Sequence, residues 1–143
     1  MYINQISVFI ENKPGNLAAL TTFLANNGID LRALEVADSR DFGIIRFIVD
    51  NPLETLTLLK DNDWVCKMTQ VIGVQVPDAP GSMAKVMEVL AEHRVSIDYI
   101  YAFIARDVNN ALMIFRVADN DKVAAILKEN NFKIIEQEDI EKM

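Results

Sequence analysis

Two hexapeptides in the chain carry residue types from which an anion site can be built. Asn12-Lys13-Pro14-Gly15-Asn16-Leu17 and Asp78-Ala79-Pro80-Gly81-Ser82-Met83 stand 66 residues apart, each with Pro-Gly at its centre. Alternating apolar residues precede both, Ile6, Val8 and Ile10 in one case and Ile72, Val74 and Val76 in the other, as in a half-buried strand. Helical spacing follows, clearest at Met83, Val86, Met87 and Leu90. A Pro-Gly turn from strand into helix leaves the first N–H groups of the helix without internal partners, at the positive end of its dipole, where a carboxylate or phosphate is favoured. Glycine at 15 and 81 also removes the Cβ that would hold a ligand away. The same residues make an ordinary tight turn before a helix, and spacing alone leaves that reading open.

The remaining reactive side chains point to no catalyst. The single cysteine, Cys66, cannot form an intramolecular disulfide, and with the single histidine, His93, it cannot complete a structural zinc site. Cys66 alternates with Trp64 and Met68 and reads as a small apolar filler. His93 falls at the end of a predicted helix, where an exposed imidazolium is favourable. The acidic run Glu136, Glu138, Asp139 and Glu141 reads as a solvated chain end rather than a metal site. There is no nucleophile elbow, no phosphate-cradling glycine loop and no carboxylate pair marked for acid–base work. The expectation is a protein that is not an enzyme and needs no metal or cofactor.

Composition sets the class. In 143 residues, 51% apolar and 24% charged side chains suffice for a packed core within a polar surface. A net charge of −7 without a basic stripe disfavours nucleic acid and anionic membranes. No run approaches about 18 apolar residues and no basic leader precedes the first strand, so a cytoplasmic location is expected.

Stepping the chain by 66 residues also sets Leu20 over Val86, Leu24 over Leu90, Ile29 over Val95 and Leu31 over Ile97. Asp50-Asn51 falls over Asp119-Asn120 once a longer hairpin loop in the second copy is allowed for. A period this long with two units indicates a duplicated domain. The first copy reads as strands at 2–11, 30–38, 43–50 and 64–68 with helices at 15–27 and 52–61; the second as strands at 70–77, 96–106, 111–118 and 132–137 with helices at 81–93 and 120–130. Gly28 stops the first helix as a C-terminal cap, and Arg94 stands in its place in the second copy. Two right-handed strand-helix-strand units interleave into a four-stranded antiparallel sheet with both helices on one face, a ferredoxin-like α+β fold.

Ile10-Glu11-Asn12-Lys13-Pro14-Gly15-Asn16-Leu17 followed by Asn27-Gly28-Ile29-Asp30-Leu31 resembles the opening of an ACT domain, and Val76 to Met83 with Val95-Ser96-Ile97 resembles a second. The resemblance spans almost the whole chain. It implies tandem ACT domains at 1–68 and 69–143, paired side by side through their second strands into an eight-stranded antiparallel sheet. It also implies an amino-acid effector between the loop of one domain and the second strand of the other, and a regulated enzyme of amino-acid metabolism as partner. Carried over, Asn12, Lys13, Pro14, Gly15, Asn16 and Leu17 face Ser96, Ile97, Asp98 and Ile100, while Asp78, Ala79, Pro80, Gly81, Ser82 and Met83 face Asp30, Leu31 and Leu34. The family often has asparagine where this chain has Asp30 and Ser96.

Parity along the second strands puts Asp30, Arg32, Leu34 and Val36, and likewise Ser96, Asp98, Ile100 and Ala102, on the helix-covered side. Tyr99, Tyr101 and Phe103 then line the other face, a stripe expected to be covered by a second copy in a homodimer. The alternative function is an interaction or dimerisation module without a small-molecule ligand; the paired helix starts argue for the ligand.

Overall fold

The computed structural model describes residues 1–11, 13–38, 42–104 and 109–143. It divides into two units: a first of Asn4–Thr69, and a second of Gln70–Met143 with Met1–Ile3.

The first unit holds β1 (Ile3–Glu11), α1 (Asn16–Asn26), β2 (Ala33–Asp38), β3 (Phe42–Ile48), α2 (Pro52–Asp61) and the beginning of β4 (Cys66–Pro77). β1 and β2 both pair antiparallel with β3, and the Phe9 N–H donates to the Val65 carbonyl at 2.9 Å, bringing the chain before β4 against β1. Ile6 and Val8 sit opposite Phe47 and Ile45 on one face and pack with Leu20, Leu24 and Leu59 of the helices. Leu34 and Val36 are in register with the same Phe47 and Ile45, so β2 presents them to the helix side as parity requires. They are 37% and 52% exposed, because β2 pairs with a single strand within its unit.

The second unit repeats the order: β4, α3 (Ser82–Glu92), β5 (Tyr99–Ala102), β6 (Asn110–Arg116), α4 (Asn120–Glu129) and β7 (Lys133–Ile135). β4 pairs antiparallel with β6 on one side and β7 on the other, and β5 pairs with β6. Its core joins Ile72, Val74, Val76 and Phe115 of the sheet to Val86, Leu90, Val123 and Leu127 of the helices. Ile100 and Ala102 lie opposite Phe115 and Met113 on that side, with Tyr99 and Tyr101 on the other.

One backbone device ends all four longer helices. Gly28, Asp63, Arg94 and Asn131 adopt left-handed φ of 68°, 66°, 56° and 65°, returning N–H groups to the last turn. Arg94 therefore does what Gly28 does despite its Cβ: Arg94 N–H bonds to Ala91 O and Val95 N–H to Leu90 O, as Gly28 bonds to Ala25 and Ile29 to Leu24.

Three expectations change. The described residues form seven strands rather than eight, because the strands expected at 64–68 and 70–77 belong to the continuous β4. The acidic tail is not simply solvated. It forms α5 (Gln137–Glu141), opened by reciprocal Glu136 and Asp139 caps, with Ile140 fully buried. Finally, the face of Tyr99 and Tyr101 is not bare: Tyr101 is only 7% exposed, and Ile3 and Ile135 close over Gly73 there.

Candidate functional site

The two helix starts match bond for bond. Gly15 and Gly81 take φ of 90° and 89°, a left-handed conformation that disfavours any side chain. Lys13 N–H bonds to Glu11 O and Ala79 N–H to Pro77 O, both at 2.9 Å; Asn16 N–H bonds to Lys13 O and Ser82 N–H to Ala79 O, both at 3.2 Å. The carbonyls of Gly15 and Gly81 accept from Ala19 and Lys85. No side chain caps either helix. The N–H groups of Leu17 and Ala18, and of Met83 and Ala84, are thus left without partners among the described residues, at the positive helix ends. An ideal Cβ at either glycine would meet nothing within 4 Å, so the space before each turn is open.

The expected site residues are placed as follows. Asn12 lies outside the described residues. Lys13, Pro14 and Gly15 are exposed, and Leu17 is largely so; Asn16 Nδ2 donates to the Glu11 carbonyl at 2.7 Å. Lys13 Nζ is 2.6 Å from Glu11 Oε2, a hydrogen bond and ion pair that lowers the Glu11 carboxyl and raises the Lys13 ammonium. Asp78, Ala79, Pro80 and Gly81 are exposed, Ser82 is half-buried, and Met83 packs on the second core. Asp30 is exposed and Leu31 packs on the first core; Ser96 and Asp98 are exposed and Ile97 packs on the second. Leu34 and Ile100 are both 37% exposed on the helix side of their strands.

Within each unit the loop and the start of the second strand stand apart. Gly43 pairs with Ile10 and with Asp38, so the Pro-Gly turn neighbours the far end of β2, while Asp30 follows the other end of α1. Eleven helical residues separate these ends by about 16 Å.

Sequence reasoning missed a cleft of about 350 Å³ at that other end of the first unit. Asn27, Gly28 and Asp30 line one side and Asp50, Asn51, Glu54 and Thr55 the other. Buried Arg32 donates from Nε to Asp50 Oδ1 at 2.9 Å and from Nη2 to Oδ2 at 3.3 Å. The available signal was Asp50-Asn51-Pro52, an acid beside a helix start, which reads as punctuation until α1 is folded against it.

The other reactive groups stay isolated. Burial pushes the Cys66 thiol up, away from thiolate chemistry. His93 is exposed, with Nδ1 2.9 Å from the Val89 carbonyl. Among the described residues there is no group of three or more His, Cys, Asp or Glu that could hold a metal ion, and no helix long and apolar enough to cross a membrane.

The family model of the ACT domain pair matches residues 1–143. Protein BT0572 from Bacteroides thetaiotaomicron is 37% identical, with a TM-score of 0.91 over 100% of this chain and 98% of that one. The ligand-free regulatory subunit of aspartate kinase from Thermus thermophilus superposes with a TM-score of 0.63 at 18% identity, over 90% and 91% of the two chains. The corresponding subunit from Thermus flavus gives 0.57, also at 18% identity, over 90% of each. No curated protein matches.

Proposed function

The chain belongs to the ACT domain pair family, a regulatory module, and from that premise we propose that it binds a free amino acid as effector. The observation that carries the reading is the pair of uncapped, glycine-led helix starts. Their unpartnered N–H groups, Leu17 and Ala18 in one and Met83 and Ala84 in the other, are placed to receive a carboxylate. Lys13, beside the first loop, adds a positive charge that already leans on Glu11, so an incoming carboxylate competes with that pair. The site residues proposed are those of the two loops, 12–17 and 78–83, with Asp30, Leu31, Leu34, Ser96, Ile97, Asp98 and Ile100 as candidates for the rest of the ligand.

The role is regulatory rather than catalytic, exercised on an enzyme of amino-acid metabolism in the cytoplasm. Regulatory subunits of aspartate kinase with the same fold support that assignment. Calorimetry with the twenty amino acids at about millimolar concentration tests it, since a ligand bound only by the folded state also raises the melting temperature.

A second reading has its own observation. Leu34 and Val36 in the first unit, and Ile100 in the second, are half-exposed apolar side chains on strands that pair on one side within their units, and each such strand edge is suited to a second copy of the chain. Calorimetric silence together with a sedimenting species of twice the chain mass would favour this interaction module over the effector-binding protein.

A further inference from the structure

Among the described residues, three of the four longer helices end on the same side-chain clip. Asn27, Asn62 and Asn130 are the C-terminal caps of α1, α2 and α4, and each donates from Nδ2 to the carbonyl four residues back, Phe23, Leu58 and Ile126, at 2.8 Å. Their backbones agree as closely, with φ of −101°, −108° and −97° and ψ of 12°, 25° and 19°. At α3 the place is taken by His93, whose Nδ1 lies 2.9 Å from the Val89 carbonyl. What differs is the next residue: Gly28 after Asn27, but Asp63 and Asn131 after the other two asparagines.

That difference is chemical. In an asparaginyl-glycine pair the glycine nitrogen, unshielded by a Cβ, can attack the asparagine Cγ. The new N–C bond closes a five-membered succinimide as the Cγ–Nδ2 bond breaks, and ammonia leaves with the proton of the glycine N–H. Water then opens the ring at either carbonyl, giving aspartate or, with the backbone rerouted through the side chain, isoaspartate. Ring closure needs the Gly28 nitrogen beside Asn27 Cγ, and the fold holds the two apart. A ψ of 12° at Asn27 turns that nitrogen away from the side chain, its N–H donates to Ala25 O at 3.0 Å, and the Asn27 amide is bonded to Phe23 O. Both groups stay engaged while the end of α1 is closed, and helix ends open locally at less free energy than the whole fold.

We propose that Asn27 is a modification site gated by the fold: it deamidates when the end of α1 opens, and the isoaspartate product keeps that end from closing again. Conversion replaces a donor to Phe23 O by a carboxylate at the negative end of the helix dipole. Isoaspartate also adds a methylene to the backbone between the Asn27 N–H, bonded to Leu24 O, and the Gly28 N–H, bonded to Ala25 O. Ile29 packs on the first core and donates to Leu24 O at 3.0 Å, so the disturbance reaches that core. Asn62 and Asn130 share the clip but are followed by a residue with a side chain, which makes them internal controls.

The test is ageing of the purified full chain at mildly alkaline pH, folded and in guanidinium chloride, followed by peptide mass spectrometry that distinguishes asparagine, aspartate and isoaspartate. In denaturant Asn27 should convert at least about tenfold faster than Asn62 or Asn130, and Gly28→Ala should bring it down to their rate. In the folded chain Asn27 should convert at least about tenfold more slowly than in denaturant, because the reaction waits on local opening. Modified chain, separated by its added negative charge, should show faster amide exchange at Gly28 and Ile29 and a lower melting temperature. Asn27→Asp, which carries the charge without the longer backbone, should be less affected. Equal rates at Asn27 in the folded and unfolded chain, equal rates at the three asparagines in denaturant, or a modified chain no more disturbed than Asn27→Asp would overturn the proposal. No amino-acid ligand enters these measurements, so their result stands apart from that of the calorimetry.

Discussion

Across the sheet of the first unit, Ser7, Arg46 and Glu35 stand in register, with Arg46 Nη1 3.6 Å from Glu35 Oε2 and Gln5 Nε2 donating to Ser7 Oγ at 3.4 Å. The matching row in the second unit is Gly73, Ile114 and Tyr101. One row is a polar network, and the other is apolar and closely packed on the same backbone frame. The helix starts behave in the opposite way, repeating their φ angles and hydrogen bonds while their side chains differ, Lys13 against Ala79 and Asn16 against Ser82. Sheet faces answer to whatever covers them. The turn into the helix answers to backbone geometry, and there backbone N–H groups rather than side chains are on offer.

The largest effect should come from forcing the polar row on the second unit. Ile114 is fully buried, and Ile114→Arg would place a charge opposite Tyr101 with no Glu35 to receive it. A loss of about 3–5 kcal/mol in urea unfolding is expected; a loss as small as that of a surface substitution would show that the two rows are interchangeable. Gly73→Ser, which copies Ser7, should cost less, about 1–3 kcal/mol, because its Cβ would come within 2.5 Å of Ile3 Cδ1 and 3.2 Å of Ile135 Cβ. The reciprocal Ser7→Gly creates no collision and should be the milder of the two in the same assay.

The smallest effect belongs to the terminal strap of the second unit. Tyr2 Oη donates to Asp121 Oδ1 at 2.5 Å, and that bond, followed by burial and the Asp121 charge, pushes the phenol up to about 12 from 10.0. The folded state thus favours the neutral phenol. Its contribution is complete below pH 10 and is lost as the pH rises towards 12. Tyr2→Phe should flatten that part of the stability curve; an unchanged alkaline decline would remove Tyr2 as its source.

The elements that read most clearly in the sequence are those whose boundaries are local. Asp50-Asn51-Pro52 places the start of α2, and the Pro-Gly pairs place α1 and α3, because these residues act on their own backbone. Residues 66–71, Cys-Lys-Met-Thr-Gln-Val, contain no turn residue, so the two strands expected on either side of residue 69 run together as β4, while the two units still divide between Thr69 and Gln70. α5 is too short to show a period, and Ile140 is one apolar residue among acids; only the Glu136 and Asp139 spacing signalled a cap. In the sites the same division holds. The glycine-led helix starts lie within one stretch of chain each, whereas the cleft draws its lining from two stretches, 27–30 and 49–58, that only the fold brings together.

Whether the repeated backbone of the helix starts is a carboxylate site is tested most directly by calorimetry of the wild-type chain against Gly15→Val and Gly81→Val. Valine at a φ near 90° distorts the turn and re-aims the N–H groups behind it, at a stability cost of about 1–3 kcal/mol, while its Cβ meets open space. At least one amino acid should bind the wild type, and one or both variants should lose that binding while their circular dichroism remains native. Undiminished affinity in both folded variants, or no binding of any of the twenty amino acids to the wild type, would contradict it.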